Sequence, residues 1–317
     1  MENFPSFPQH PHRLKDLAKI LLYFAAVILG GALLAPPLYF AAHALAAHGI
    51  FPSLTTFSFQ KYFNRASLLC AFLFLWPAIR SLHITSTQEL GITPNPRWRQ
   101  HLIAGLAIAS LAVALLASTY LALGFYKIRP SIAWTKIPVI ALSALIVAFL
   151  EEALFRGAIL GLLRRSLSPL SALLATSALF AIVHFLKPDE SYSPTSIGWL
   201  SGFDLIPHTF HQFANPLSLL AGFSTLFTLG WLCGSATLRT RSLWLSIGLH
   251  AGVVLVKMSF SVIAKFAIKP KLRPDYLPWI GDRFENGLLP VAALLLAIFL
   301  AHLYTSHEHR LLPPTRL

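Results

Sequence analysis

The sequence predicts an all-α polytopic membrane protein, a bundle of about eight transmembrane helices. Three observations predict it. First, 56% of the 317 residues are hydrophobic and only 12% are charged, whereas charged residues make up about a quarter of a soluble domain. Second, apolar runs long enough to cross a bilayer recur along the chain, separated by basic and proline-bearing connections. Third, the few charges inside those runs fall in a compact pattern rather than being scattered.

Residues 1–14 are expected to be a polar N-terminal tail, and a single transmembrane helical domain is expected over 15–304. Its first span starts near Lys15 and runs to Ala47, too long for a cleaved signal peptide. Pro36 and Pro37 remove backbone donors within it and are expected to kink or break it. A second span follows from about Arg65 to Leu82, then a turn-rich loop over 83–100, and a third, Ala- and Leu-rich span from His101 to Phe125. The fourth, Lys136 to Arg164, has length for about 42 Å of helix and should tilt.

Pro169 opens the expected fifth span and Pro188 closes it. Residues 188–215 form the longest polar connection, with Asp189, Glu190, Asp204, His208 and His211; such a stretch reads equally as a lid or as a solvated linker. The sixth span, Leu217 to Leu238, is punctuated by glycine, which suits close helix packing in lipid. The seventh, Ser242 to Lys265, carries His250 and Lys257; a basic loop then precedes the eighth, Leu288 to Tyr304, and a polar tail over 305–317.

The formal charge of +13, from 25 Lys and Arg against 12 Asp and Glu, does not form a nucleic-acid-binding patch, because the basic residues sit at span ends where they anchor helices and set orientation. Cys70 and Cys233 lie within apolar segments without metal-ligand spacing and read as small core residues. The tight arginine loops at 164–165 and 239–241, set against the acidic 188–215 connection, favour cytoplasmic termini, which is the orientation expected.

The fourth span holds the charges that demand a reason. Each charged side chain at a helix centre costs roughly 2.5 to 3.5 kcal/mol, so Glu151, Glu152 and Arg156 facing lipid would together cost about 8 to 10 kcal/mol. They must face protein or a wet cavity. In an α-helix Glu152 and Arg156 lie four apart on one face and can neutralise each other, while Glu151 points elsewhere, towards a neighbouring helix that should carry a polar group. Two such groups occur within the spans: His184 at the end of the fifth and His250 in the seventh. A lone histidine is commonly structural, yet ionisable residues on three helices at membrane depth point to a functional site. Phe180, four residues before His184, can wall its imidazole. A carboxylate with imidazoles in a sheltered pocket can activate water and stabilise an oxyanion.

Glu151 to Arg156 (EEALFR), Phe180 to His184 (FAIVH) and His250 to Val254 (HAGVV) resemble the EExxxR, FxxxH and HxxxN-type motifs of the CAAX protease and bacteriocin-processing family, also called CPBP or Abi. They occur in the family's order on separate spans, and the CAAX-protease-like core covers about 136–265. The resemblance implies an intramembrane endopeptidase. By position, Glu151 and His184 would activate the hydrolytic water, His250 would stabilise the oxyanion, and Glu152 and Arg156 would brace the site. The asparagine position of the third motif holds Val254, which cannot donate.

No cofactor is expected, although His184, His250 and Glu151 are also a donor set for zinc. HExxH, GxGD and GxSG motifs are absent from the sequence. The alternatives are a proton-coupled transporter, which would be expected to show a symmetric pair of broken helices, and a non-catalytic relative acting as a membrane scaffold or immunity protein. The expected partners are membrane lipid and a membrane-associated protein or peptide substrate, with no nucleic acid, and the expected location is the bacterial inner (cell) membrane.

Overall fold

The computed structural model describes residues 13–311 apart from 83, 85, 91, 92, 190, 193, 195, 268–278 and 282. The polar tail expected over 1–14 therefore falls almost wholly outside the described residues, as do Glu190 and the middle of the basic loop before the last span.

The chain is helical almost throughout. In order come α1 (Arg13–Ala47), α2 (Phe59–Ser81), α3 (Trp98–Ala122), β1 (Tyr126–Ile128), α4 (Lys136–Glu152), a π-helical stretch (Ala153–Ile159) and α5 (Leu160–Arg164). Then follow α6 (Pro169–Val183), α7 (Ser201–His208), α8 (Pro216–Thr240), α9 (Trp244–Ile263), β2 (Ala264–Phe266) and α10 (Leu288–Leu311). Among the described residues, seven helices are long and apolar enough to cross a membrane, with α4, the π-helical stretch and α5 forming one span over Lys136–Arg164. The chain is an integral multi-pass membrane protein.

The expected fifth span is the one that differs. Between Pro169 and the turn at His184, α6 has only 15 residues, or about 22 Å of helix, short of the roughly 30 Å of hydrocarbon. Pro36 and Pro37 do not break α1, which runs as one helix through both. The last helix runs on past Tyr304 to Leu311, into the segment expected to be a polar tail.

Two compact units divide the chain, one made of residues 1–85 and 182–219 and the other of residues 86–181 and 220–317. In the first, α1 and α2 form an antiparallel hairpin in which Gly31 of α1 lies against Ser67 of α2. The polar connection is no bare linker: it contains α7, whose Leu205 is fully buried among Ala32, Ala35, Phe59, Phe63 and Ala66. Gly202 brings α7 onto the backbone of Ala32, where a side chain would overlap the Ala32 carbonyl.

In the second unit, α3 and α9 approach backbone to backbone. Gly248 and Gly252 of α9 face the Leu102 and Leu106 carbonyls of α3, and a Cβ at Gly252 would stand 2.7 Å from the Leu106 oxygen. Helices associating in lipid gain from such small-xxx-small contacts, because lipid tails supply no hydrophobic drive between them. Here the motif flanks His250 and fixes the height at which α9 presents it. The chain ends of α3 and α9 continue into β1 and β2, an antiparallel pair with Tyr126 opposite Phe266, Lys127 opposite Lys265 and Ile128 opposite Ala264.

Candidate active site

Glu151 and Glu152 end α4, and the helix then widens. The amide of Leu160 donates to the carbonyl of Phe155, five residues back rather than four, so the segment carrying Arg156 is a π-turn. Such turns insert a residue into a helix and are frequent at functional sites. The pairing of Glu152 with Arg156 survives it: Arg156 Nη1 donates to Glu152 Oε1 at 2.8 Å, with both side chains fully buried. Arg156 Nη2 donates to the carbonyl of Gly230 on α8 at 3.1 Å, and the guanidinium lies 4.5 Å from the centre of the Phe180 ring. A buried cation is thus met by a carboxylate, a carbonyl and an aromatic face, as the cost of desolvation requires.

His250 of α9 sits between the two carboxylates. Its Nδ1 is 2.8 Å from Glu152 Oε1 and its Nε2 is 3.8 Å from Glu151 Oε2. An ionised carboxylate can only accept, so Nδ1 carries the proton and donates to Glu152, leaving Nε2 as the nitrogen that faces Glu151. The gap of 3.8 Å is too long for a direct hydrogen bond and suits two groups that share one small polar molecule between them. Phe180 stands edge-to-face against the imidazole, 5.9 Å between centroids and 82° between planes, and meets Phe155 in the same way at 5.1 Å. The ring expected from sequence to wall His184 stands against His250.

The polar gradient across the site is steep. Glu152 and Arg156 are sealed, His250 is 3% exposed, and the Glu151 side chain keeps 23% of its surface open. The outermost member of the cluster is Glu151, and the inner members hold the imidazole in place. Val254, one turn beyond His250, is half-buried and supplies no donor.

Of the six residues singled out by sequence, Glu151, Glu152, Arg156, Phe180 and His250 lie in the second unit and come together there. His184 belongs to the first unit, in the partly exposed turn directly after α6. Sequence reasoning missed two things. Glu152 does more than neutralise Arg156, because the same oxygen also receives His250. The carbonyl of Gly230 is a further anchor, invisible to motif reading because it is a backbone group. The GLHAG run at 248–252, by contrast, was a readable small-xxx-small signal.

Glu151 and His250 offer two donor atoms to a metal, and among the described residues no group of three His, Cys, Asp or Glu side chains is placed to hold one. A catalytic zinc takes three protein ligands, so no step below runs through a metal.

No curated protein and no solved structure matches the chain. Residues 132–256 match the family described as Rce1-like, type II CAAX prenyl endopeptidase. Over that segment, which holds all six candidate residues, the chain carries the Rce1-like signature of the CAAX protease and bacteriocin-processing family.

Proposed function

We propose that the protein is an intramembrane endopeptidase that hydrolyses a peptide bond of a membrane-associated protein with water activated by glutamate and histidine. The observation that carries this reading is the placement of His250 between two carboxylates, one sealed and one partly exposed. Glu151 takes a proton from water as the water oxygen attacks the scissile carbonyl carbon, and His184 is assigned as its partner in holding that water. The oxyanion forms next to His250. This step requires His250 as the imidazolium, which donates Nδ1–H to Glu152 and Nε2–H to the oxyanion while its positive charge lies between the two carboxylates. The proton held by Glu151 then passes to the leaving amine as the C–N bond breaks, which restores the carboxylate.

Arg156 and Phe180 are positioning residues in this scheme, holding Glu152 and the ring of His250. The chemistry is assigned without a metal. The family match supports a peptidase; the identity of the substrate, prenylated or not, is the finer question.

The test is cleavage of a fluorogenic membrane-associated peptide by the purified chain in liposomes, with and without a chelator. Turnover that survives the chelator and falls at least 10²-fold in Glu151→Gln and in His184→Ala is expected from loss of general-base catalysis. Solute flux without any cleavage would instead establish a transporter, and undiminished cleavage by Glu151→Gln would remove Glu151 from its role.

A further inference from the structure

The two-stranded sheet β1–β2 contains a contact that folding alone disfavours. Lys127 and Lys265 are directly opposite each other in the antiparallel register, and both are exposed. Opposed residues in such a ladder have Cβ atoms about 4.5 to 5.5 Å apart, and like charges there are destabilising. Neither lysine has an ion-pair partner among the described residues; the nearby Glu285 is taken by Lys257 at 3.0 Å.

Side chains alternate across a strand, so the sheet has two unlike faces. On the inner face Tyr126 and Phe266 meet at 4.2 Å and join the buried cluster of Tyr120, Phe260 and Ile280. On the outer face stand Lys127, Lys265 and, two residues beyond Lys127, the exposed Arg129. Arg129 is tied down by its amide to the Ile263 carbonyl at 2.8 Å and by its Nε to the Ser261 carbonyl at 3.3 Å. Three cations therefore share one rigidly backed face.

The location of that face is set by the spans. β1 begins four residues after Ala122 ends α3, and β2 follows Ile263, the last residue of α9; both helices are membrane spans. The headgroup layer is roughly 5 to 7 Å deep on each side of the hydrocarbon, so a strand joined to a span end lies within it. Trp134, 62% exposed, is an aromatic residue of the kind that sits at this level.

We propose that the outer face of β1–β2 binds the phosphate of an anionic phospholipid, which supplies the negative charge that the Lys127–Lys265 pair lacks. The site is separate from the proteolytic reading, and its test does not depend on turnover. Native mass spectrometry of the full chain, titrated with phosphatidylglycerol and with phosphatidylcholine, reads it directly. Wild type is expected to retain phosphatidylglycerol preferentially. Lys127→Gln and Lys265→Gln should each weaken that retention by about fivefold, the size of one lysine near an anionic surface, and Lys61→Gln, on α2, should leave it unchanged.

Lys127→Glu separates binding from folding. It replaces a like-charge pair by an opposite-charge pair, so its melting temperature should be equal to or above that of wild type while its phosphatidylglycerol retention falls. Equal retention of the two lipids by wild type, or wild-type retention in all the Lys127 and Lys265 variants, would overturn the proposal. Stabilisation by millimolar inorganic phosphate equal to that by phosphatidylglycerol would overturn the lipid assignment in favour of a free-anion site.

Discussion

Helix α9 carries two charge pairs on one stripe, seven residues and about 10 Å apart, and they are built in opposite ways. His250 meets Glu152 with 4% and 0% of their side chains exposed. Lys257 meets Glu285 with 41% and 27% exposed. The inner pair has a third member, Arg156, on the same carboxylate oxygen, while the outer pair stands in contact with solvent or headgroups. The difference teaches where this chain uses charge to fix geometry and where it merely ties a loop: desolvation makes the inner cluster costly to break, and screening makes the outer pair nearly dispensable.

The comparison can be broken first at its sealed end. Glu152→Ala leaves Arg156 buried without its carboxylate and should cost about 3 to 5 kcal/mol of stability, measured by thermal or denaturant unfolding in detergent. Glu152→Leu combined with Arg156→Met should recover most of that loss while remaining inactive, because His250 would still lack the acceptor for Nδ1. Recovery of activity along with stability would mean that the cluster is only a packing device.

Gly252→Leu attacks the same end through the backbone. Overpacking against the Leu106 carbonyl should cost about 1 to 3 kcal/mol and lower turnover by shifting His250, whereas an equivalent substitution at the exposed Met258 of α9 should do neither. Glu151→Gln should leave stability within about 0.5 kcal/mol of wild type, which separates the open carboxylate from its sealed neighbour.

At the outer end Lys257→Ala should change stability by no more than about 1 kcal/mol and should lose even that effect in high salt. The smallest effect is expected from Asp189 in the connection before α7. The Ser191 amide, at 2.9 Å, and the Ser191 hydroxyl, at 2.7 Å, both donate to it; these bonds hold its carboxyl below the usual range. A depressed carboxylate contributes order that is present above the ordinary Asp range and is lost as pH falls through the lowered value. Amide exchange at Ser191 should therefore speed up, beyond the intrinsic pH dependence, only on acidification below the ordinary Asp range, with no matching change at Gly230.

Much of this was legible in the chain because membranes amplify a few signals. Apolar runs had to be helices, since lipid leaves backbone groups no other partner, and Glu152 with Arg156 had to pair because their spacing allowed it and lipid forbade the alternative. What the sequence concealed was local geometry. Nothing in ALFRGAI marks a π-turn, and the adjacent glutamates, read as pointing apart, approach one imidazole at its two different nitrogens. α6 looked like a span because its flanks are apolar, yet its bounding proline and turn leave it too short. The inward fold of α7 was hidden by the polarity of its neighbours, though Gly202 and Leu205 are what bring it onto α1.

The widened turn at Ala153–Ile159 makes the site depend on chain length as well as on residue type. A single-residue deletion there would let ordinary α-geometry return. α5 would keep its phase with α4, because the widened turn absorbs one residue, but a deletion between Glu152 and Arg156 would end their four-residue spacing and take the guanidinium off its carboxylate. Two sequences that differ by one residue between Glu152 and Arg156 would thus not hold the same site.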